Sequence, residues 1–188
     1  KNDGKGLDYF VPPKDEVDIK ILPSEFQNGY IGFVIGAKYF TKQLPNEKII
    51  SICQKINQPI ILLGGKEDVK KGEEIKSKVK SQKILNACGK YNLNQSASLV
   101  KQARNIITHD TGLMHIAAAF KIEIVSVWGN TIPEFGMYPY YGKSKVKSQK
   151  SEVNDLSCRP CSKLGYSKCP KDHFKCMNAI NEEEIVKF

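Results

Sequence analysis

The stretch NIITHDTGLMHIAAAFKIEIVSVWG, residues 105–129, places a segment of small and apolar residues between two short runs rich in β-branched residues. The runs NIITH (105–109) and IEIVSVWG (122–129) have the composition of buried β-strands. Between them, TGLMHIAAAFK (111–121) has the length of a helix of about three turns. A strand, a helix and a second strand in this order predict a βαβ unit, in which the two strands run parallel.

The same alternation extends back along the chain to residue 30. Further strands are predicted at YIGFVIG (30–36), PIILLGG (59–65) and KILNAC (83–88). Further helices are predicted at PNEKIISICQKIN (45–57), which Pro45 opens, EDVKKGEEIKSKVK (67–80) and NQSASLVKQA (94–103), with Asn94 as the candidate cap. Five strands alternating with four helices predict an α/β fold: a doubly wound parallel sheet, Rossmann-like, with helices on both faces.

The charge of the chain favours anionic partners. It has 29 basic and 20 acidic residues and a net charge of +9. Arginine is scarce among the cations and no RRM, KH or zinc-finger pattern occurs, so we expect no nucleic-acid partner. The chain has neither an apolar run of about 18 residues nor the apolar core of a signal peptide. These features predict a cytoplasmic protein. Its positive charge indicates either a ligand that carries phosphate or another anionic group, or only a solvated, lysine-rich surface.

Glycines and short polar residues follow each predicted strand. They are Gly36, Gly64 and Gly65, Gly89, the turn 110–112 and the turn 129–131. In a doubly wound sheet, ligands bind beyond the carboxyl ends of the strands, where helices begin. Glycine at such positions lets backbone N–H groups approach a phosphate closely. The pattern therefore predicts a ligand site at this edge of the sheet.

The two histidines near the fourth strand do not have the spacing of a metal site. His109 and His115 are six residues apart and lie on either side of the predicted strand-to-helix turn. Zinc proteases instead place two histidines four residues apart on one helical face. No G-x-S-x-G element supplies a nucleophile for a catalytic triad. We therefore expect no metal here, and we interpret His109 as the structural end of a strand.

The turn after His109 has the features of a ligand-binding helix start. A helix beginning there points free N–H groups and the positive end of its dipole towards the cleft. Gly112 leaves room for an anion, Thr111 adds a hydroxyl, and His115 shares the helical face of Thr111. In the alternative interpretation, Asp110 only caps the helix and His115 is a hydrogen-bonded core residue.

The flanks of the predicted sheet have less regular patterns. Residues 1–29 are expected to be a linker or the edge of a missing N-terminal domain, and residues 30–188 the ligand-binding domain. Beyond Trp128, about fifty residues show little periodicity. They include the basic run 143–150. Its lysines face anionic acceptor phosphates, the inner membrane leaflet or, in the interpretation that we favour, only solvent.

The Cys-rich segment, residues 158–176, contains Cys158, Cys161, Cys169 and Cys176. One C-x-x-C pair with His173 nearby has half the pattern of a zinc ribbon. Disulfides formed on exposure to air are a second possibility. Reduced, packing thiols are the interpretation that we favour over both, because the second C-x-x-C pair of a strong zinc pattern is missing.

Several of these elements together resemble a known family. The D-T-G-x-x-H-x-x-A-A block and the G-x-T-x-P turn occur in order with GAKYFTKQLP (36–45), LLGGKED (62–68) and the Cys-rich segment. This combination resembles the carboxyl-terminal half of glycosyltransferase family 9, the ADP-heptose:lipopolysaccharide heptosyltransferases. The resemblance implies the donor-binding half of a GT-B fold and an inverting sugar transfer that requires neither a metal nor another cofactor.

The resemblance also implies roles for individual residues. The donor diphosphate and sugar would be surrounded by Asp110, Thr111, Gly112 and His115. Lys42 would neutralise charge on the departing nucleotide. Glu67, with Asp68 as the alternative, would accept hydrogen bonds from the nucleoside, and Tyr91 would pack against the base. Leu44 stands where a tryptophan is common in the family, which leaves the details of donor contact open.

The resemblance finally implies which partners the protein has. They are a nucleotide-sugar donor, a lipopolysaccharide-type acceptor bound through the missing domain, and the inner membrane as a peripheral contact. The general base of an inverting transfer belongs to the amino-terminal domain of the family, so we expect this chain to bind the donor without transferring it. The alternative function is a non-catalytic Rossmann-like module that contacts protein or glycan.

Overall fold

A six-stranded, all-parallel sheet forms the centre of the protein in a computed structural model, which describes residues 3–79 and 83–187. The strands are β1 (Ile31–Val34), β2 (Ile60–Leu63), β3 (Ile84–Asn86), β4 (Asn105–His109), β5 (Glu123–Trp128) and β6 (Ser148–Glu152). Their order is β3-β2-β1-β4-β5-β6, and every adjacent pair is parallel. The predicted doubly wound α/β fold is confirmed.

Helices cover both faces of this sheet. They are α1 (Ser24–Gln27), α2 (Asn46–Lys55), α3 (Val69–Val79), α4 (Leu93–Gln102), α5 (Gly112–Ala119), α6 (Lys175–Asn178) and α7 (Glu182–Val186). Helices α4 and α5 pack on one face, and α2, α3, α6 and α7 pack on the other, each with its own apolar cluster. In the part of the chain that the structure describes, no helix is both long and apolar enough to cross a bilayer.

The register of the sheet brings the predicted strand ends to one edge. Val34 at the end of β1 pairs with Leu63 of β2 and with Thr108 of β4. The turns after β1, β2, β4 and β5 therefore leave the sheet at similar heights. In a parallel sheet this is the edge where ligands bind, so the chain order of the strands places the candidate residues close together.

The sixth strand was not predicted. Residues 148–152 are polar, SQKSE, and only Ser151 among them is buried. The strand lies at the edge of the sheet and pairs through its backbone with β5, Ile124 opposite Ser148. A strand with little buried side-chain area does not need the apolar pattern by which strands are recognised. Part of the predicted basic run is thus β-structure.

The cap of α4 is Asn92, and the prediction of Asn94 was wrong. The side chain of Asn92 accepts a hydrogen bond from the N–H of Gln95 (2.8 Å), and the side chain of Gln95 accepts one from the N–H of Asn92 (3.0 Å). This reciprocal pair is a capping box, in which two otherwise unpaired N–H donors are satisfied. Asn94 is the second residue of the helix and donates to Asp15 (3.1 Å).

The helix predicted over residues 67–80 is split. Lys66–Asp68 form a 3₁₀ turn before α3, and Lys80 lies outside the described residues. The N-terminal segment 3–29 contributes two further 3₁₀ turns and α1. Its Val17, Leu22 and Phe26 are buried in the same apolar cluster as the side chains of α4 and α5, so the segment packs on the Rossmann-like domain.

Candidate functional site

A cavity of about 620 Å³ opens at the carboxyl edge of the sheet, between the turns after β1 and β2 and the starts of α4 and α5. Its walls include Glu67, Tyr91, Thr111 and Gly112, four of the residues predicted for the site. They come from three different segments that the fold brings together. The volume is in the range of small-molecule sites, about 300–1,000 Å³.

Lys42 and Asp110 form an ion pair beside this cavity. Lys42 Nζ lies 2.6 Å from Asp110 Oδ2, and the hydroxyl of Thr131 donates to the same carboxylate oxygen (3.1 Å). The two charged side chains are only 12% and 5% exposed. Their chain neighbours Gln43 and Thr111 line the cavity. The pair therefore places a shielded positive charge next to the space for a ligand.

The first turn of α5 is open towards solvent. Thr111 is the N-cap residue, but its side chain makes no capping hydrogen bond; its hydroxyl lies 3.3 Å from that of Thr108. A Cβ placed on Gly112 would meet nothing within 4 Å, and the φ of Gly112 lies outside the region that demands glycine. Neither packing nor backbone geometry thus requires glycine at residue 112. The free N–H groups of this turn can bind an anion.

His115 lies one turn further along α5 and is not part of the cavity wall. It is half-buried, and its side chain makes no hydrogen bond to any residue within 3–79 and 83–187. Thr111 is the extended N-cap residue of α5, and His115 lies within the helix four residues later. That they share one helical face stays a prediction.

Glu67 and Asp68, the two alternatives for one role, have different surroundings. Glu67 is exposed at the cavity. Asp68 is 5% exposed and accepts a hydrogen bond from the N–H of Gly65 (2.9 Å), and burial raises the pKa of its carboxyl above the ordinary value. Its carboxylate fills space that Cβ atoms on Gly36 and Gly64 would occupy. Asp68 shapes the loop, whereas Glu67 is free to meet a ligand.

Lys71 and Thr131 complete the surroundings of the site, and the residue-level prediction did not include them. The ammonium group of Lys71 on α3 donates to the carbonyl of Ile35 and to Gln43 Oε1, both at 3.0 Å. Burial lowers the pKa of Lys71. Nothing distinguishes Lys71 from the other lysines of its lysine-rich helix in sequence. Thr131, in contrast, lies in the G-x-T-x-P turn that carried the family resemblance, so a signal for it was present.

His109 is fully buried at the end of β4, as its predicted structural role requires. Its Nε2 accepts a hydrogen bond from the N–H of Leu44 (2.9 Å), which fixes the loop that carries Lys42. A ring nitrogen that accepts carries no proton, so the imidazole is neutral. Burial lowers the pKa of His109 to about 3, and the nearby charge of Lys71 acts in the same direction.

The buried neutral imidazole predicts loss of stability in acid. Unfolded histidine titrates near pH 6.5, so below this pH the unfolded chain binds a proton that folded His109 does not bind until about pH 3. The free energy of unfolding should then fall by up to about 1.4 kcal/mol per pH unit from this group. His109→Gln, whose amide oxygen can still accept from Leu44, should reduce that slope in urea titrations between pH 7 and pH 4.5.

The matched control for this experiment is His173→Gln, which removes a histidine at an exposed position. The carboxylates of the chain contribute their own acid slope in all three proteins, so the slopes are compared with that of the wild type. An unchanged slope in His109→Gln would show that the imidazole is not held neutral in the folded protein.

The Cys-rich segment carries free thiols. All of its four cysteines are unpaired, Cys176 is buried, and the other three are half-buried. Burial raises the pKa of Cys176 to about 11. Cys158 Sγ lies 3.7 Å from Nε2 of His173. Within the described ranges, no three His, Cys, Asp or Glu side chains converge in a geometry that could hold a metal ion.

The sheet order and the cavity at its carboxyl edge define a Rossmann-like domain with a ligand cleft, the unit from which GT-B glycosyltransferases are built. A family model described as glycosyltransferase family 9 (heptosyltransferase) matches residues 12–167. The chain belongs to this family.

Individual relatives agree with this assignment. Lipooligosaccharide heptosyltransferase 2 of Campylobacter jejuni is 27% identical over 155 residues, which cover 80% of this chain and 44% of the relative. The structure of E. coli ADP-heptose lps heptosyltransferase II has a TM-score of 0.66 at 23% identity, covering 92% of this chain and 52% of that chain. A glycosyl transferase family 9 structure from Veillonella parvula has a TM-score of 0.73 at 19% identity, covering 96% and 52%.

The aligned region is a part of each relative. The chain spans between 32% and 44% of the length of the curated relatives that it matches. The two solved structures described above, at 23% and 19% identity, establish the fold of this domain. The substrates named for the relatives remain properties of those proteins.

Proposed function

We propose that residues 30–188 form the donor-binding domain of an inverting glycosyltransferase, which transfers heptose or a related sugar from an ADP-heptose-like donor to a lipopolysaccharide core or another envelope glycan. Membership of the heptosyltransferase family supports the type of reaction. The observation that carries the assignment to this domain is the shielded Lys42–Asp110 pair beside an open cavity, at the first turn of α5. Such a place suits a diphosphate.

The cavity gives each part of a nucleotide sugar a place. The diphosphate would lie against the first turn of α5, where Gly112 leaves space and Lys42 supplies positive charge. The exposed Glu67 would accept hydrogen bonds from the ribose hydroxyls. Tyr91, half-buried, and Leu93, which is 60% exposed, would contact the base. The sugar would extend towards Asp110 and His115.

In the proposed sugar transfer, the contribution of this domain is to stabilise negative charge on the leaving nucleotide. As the bond between sugar and diphosphate breaks, negative charge grows on the leaving nucleotide, and a fixed ammonium group nearby stabilises it. Lys42 is held ready for this by Asp110. We propose that a second, amino-terminal domain binds the acceptor and supplies the general base, and that residues 1–29 connect the two. The part of each relative outside the aligned region has room for such a domain.

The surface near the start of β5, at the edge of the sheet opposite the cavity, is suited to anionic membranes. Lys143, Lys145 and Lys147 are exposed, while Lys150 pairs with Glu134 and Glu152. Lysines at a membrane surface contribute about 1 kcal/mol each to binding anionic lipids. A peripheral contact on the cytoplasmic side of the inner membrane, where a lipid-linked acceptor is available, forms part of the proposal.

Thermal unfolding in the presence of ADP tests the donor assignment. At 100 times its dissociation constant, a ligand of the folded state adds about 2.7 kcal/mol, or roughly 5–10 °C in melting temperature for a domain of this size. ADP should give this rise, whereas adenosine and inorganic phosphate at equal concentration should give less. Lys145→Met, which removes an exposed charge away from the cavity, should respond as the wild type does.

No response to ADP in the wild-type chain would refute the donor-binding assignment. A stable complex with another protein or with glycan, in the absence of that response, would favour the non-catalytic binding module.

A further inference from the structure

The loop that carries Lys42 is attached to the Cys-rich segment by two reciprocal hydrogen bonds between Thr41 and Tyr166. The N–H of Thr41 donates to the carbonyl of Tyr166 (3.2 Å), and the N–H of Tyr166 donates to the hydroxyl of Thr41 (2.8 Å). Thr41 is 1% exposed. Beside it, the ring of Phe40 stacks on that of Phe174, with 4.9 Å between centroids. The position of residue 42 is therefore coupled to a segment more than one hundred residues away in sequence.

The turn that carries Thr131 is tied to the same segment through Arg159. The guanidinium Nε donates to the carbonyl of Gly129 (2.6 Å), and Nη2 donates to the carbonyl of Thr131 (3.1 Å). Nη1 donates to the carbonyl of Val153 (3.3 Å), and Arg159 also pairs with Glu152. The side chain is 8% exposed. A planar fork of donors fixes the spacing of two carbonyl groups, which a single ammonium group cannot do.

The two loops that the Cys-rich segment holds both contact the carboxylate of Asp110. Thr131, held by Arg159, donates its hydroxyl to Asp110 Oδ2, and Lys42, next to Thr41, pairs with the same oxygen. The N–H of Cys161 donates to the carbonyl of Asn130 (3.2 Å), between the two carbonyl groups that Arg159 binds. The Cys-rich segment thus contacts both loops whose side chains meet at Asp110, although it does not line the cavity.

We propose that Arg159 is a positioning residue for the diphosphate site, acting with the Thr41–Tyr166 contact to hold Lys42 and Thr131 at Asp110. Through this contact, the Cys-rich segment determines where the positive charge of the donor site lies. The role differs from general support of the fold, because it acts on the phosphate end of the ligand and not on the nucleoside end, where Glu67 and Tyr91 lie. The inference rests on the proposed binding of a nucleoside diphosphate.

Binding of ADP and of adenosine to Arg159→Lys tests this role. The lysine keeps the charge but loses the fork, so the dissociation constant for ADP should rise about tenfold, while that for adenosine should change by less than about twofold. Urea unfolding of the same samples shows whether the variant is folded at the assay temperature. A loss of folded protein alone would weaken both ligands by the same factor.

Two further variants complete the experiment. Thr41→Val removes the hydroxyl that meets Tyr166 with little change of shape, and it should reproduce the selective loss of ADP affinity if Arg159→Lys is too unstable to assay. Arg104→Lys is the matched control: its guanidinium also binds a carbonyl, that of Asn28 (2.6 Å), but at the opposite end of β4. It should bind both ligands as the wild type does.

The outcomes separate the inference from the proposed function. If the wild-type chain does not bind ADP, the proposed donor site is wrong and the inference fails with it. If the wild type binds ADP but Arg159→Lys and Thr41→Val leave the ADP-to-adenosine ratio of dissociation constants unchanged, the donor site stands and the positioning role is refuted.

Discussion

Replacement of Lys42 by methionine is expected to lower the free energy of unfolding by about 3–5 kcal/mol, because it leaves the carboxylate of Asp110 buried without its countercharge. The same variant should bind ADP roughly 10–100-fold more weakly, since hydrogen bonds to charged groups contribute about 1.5–3 kcal/mol. Stability follows from urea unfolding, and affinity from calorimetric titration with ADP. The two losses have different causes, and a second substitution separates them.

The double variant Lys42→Met, Asp110→Asn removes both charges of the pair. The amide can still accept the hydrogen bond from Thr131, so no unpaired charge is buried, and most of the lost stability should return. The ADP affinity should stay low, because the positive charge is still absent. Recovery of ADP binding together with stability would show that Lys42 acts only on the fold, and the assignment of the diphosphate to this pair would be wrong.

Substitution of Gly112 should weaken ADP binding without lowering the free energy of unfolding, whereas Lys42→Met should lower both. A Cβ at this position meets no protein atom within 4 Å, so leucine can be accommodated and also favours the helix. A side chain there would occupy the space in front of the free N–H groups of α5. We expect Gly112→Leu to weaken ADP binding at least 30-fold, about 2 kcal/mol, with a smaller effect in Gly112→Ala.

The free energy of unfolding of each Gly112 variant is the internal control, and it should equal that of the wild type or exceed it by up to about 1 kcal/mol. ADP affinities are measured by the same titration as for Lys42. Equal affinities across glycine, alanine and leucine would place the phosphates away from the start of α5, and the proposed orientation of the nucleotide would then be incorrect.

Most of the fold was predictable because its signals are local. Parallel strands buried on both faces have continuous apolar sequences, and the helices between them have regular amphipathic patterns. The edge strand β6 was missed because it pairs with β5 through backbone groups, and its polar side chains leave no apolar pattern in the sequence. The cap of α4 was displaced by two residues, although the capping-box pattern from Asn92 to Gln95 was present in the sequence.

The sequence indicated where a candidate site would lie, but not the contacts that hold it together. Glu67, Tyr91, Thr111 and Gly112 were named from strand ends and from the family resemblance, and the structure places all four on one cavity. The contacts of Arg159 could not be predicted. They join residues about thirty positions apart in a segment without periodicity, and no local pattern of side chains marks an arginine that binds carbonyl groups.

The packing of Asp68 against Gly36 and Gly64 has a consequence for the evolution of the family. A Cβ on Gly36 would lie 2.0 Å from Asp68 Oδ2, and one on Gly64 would lie 2.7 Å from it. Gly36, in the turn after β1, and Gly64 and Asp68, in the turn after β2, therefore compete for the same space. In descendants of this sequence, a larger residue at either glycine becomes acceptable only after the aspartate has shortened or moved. Selection consequently acts on the three positions as a single inherited unit, and their substitutions should be correlated.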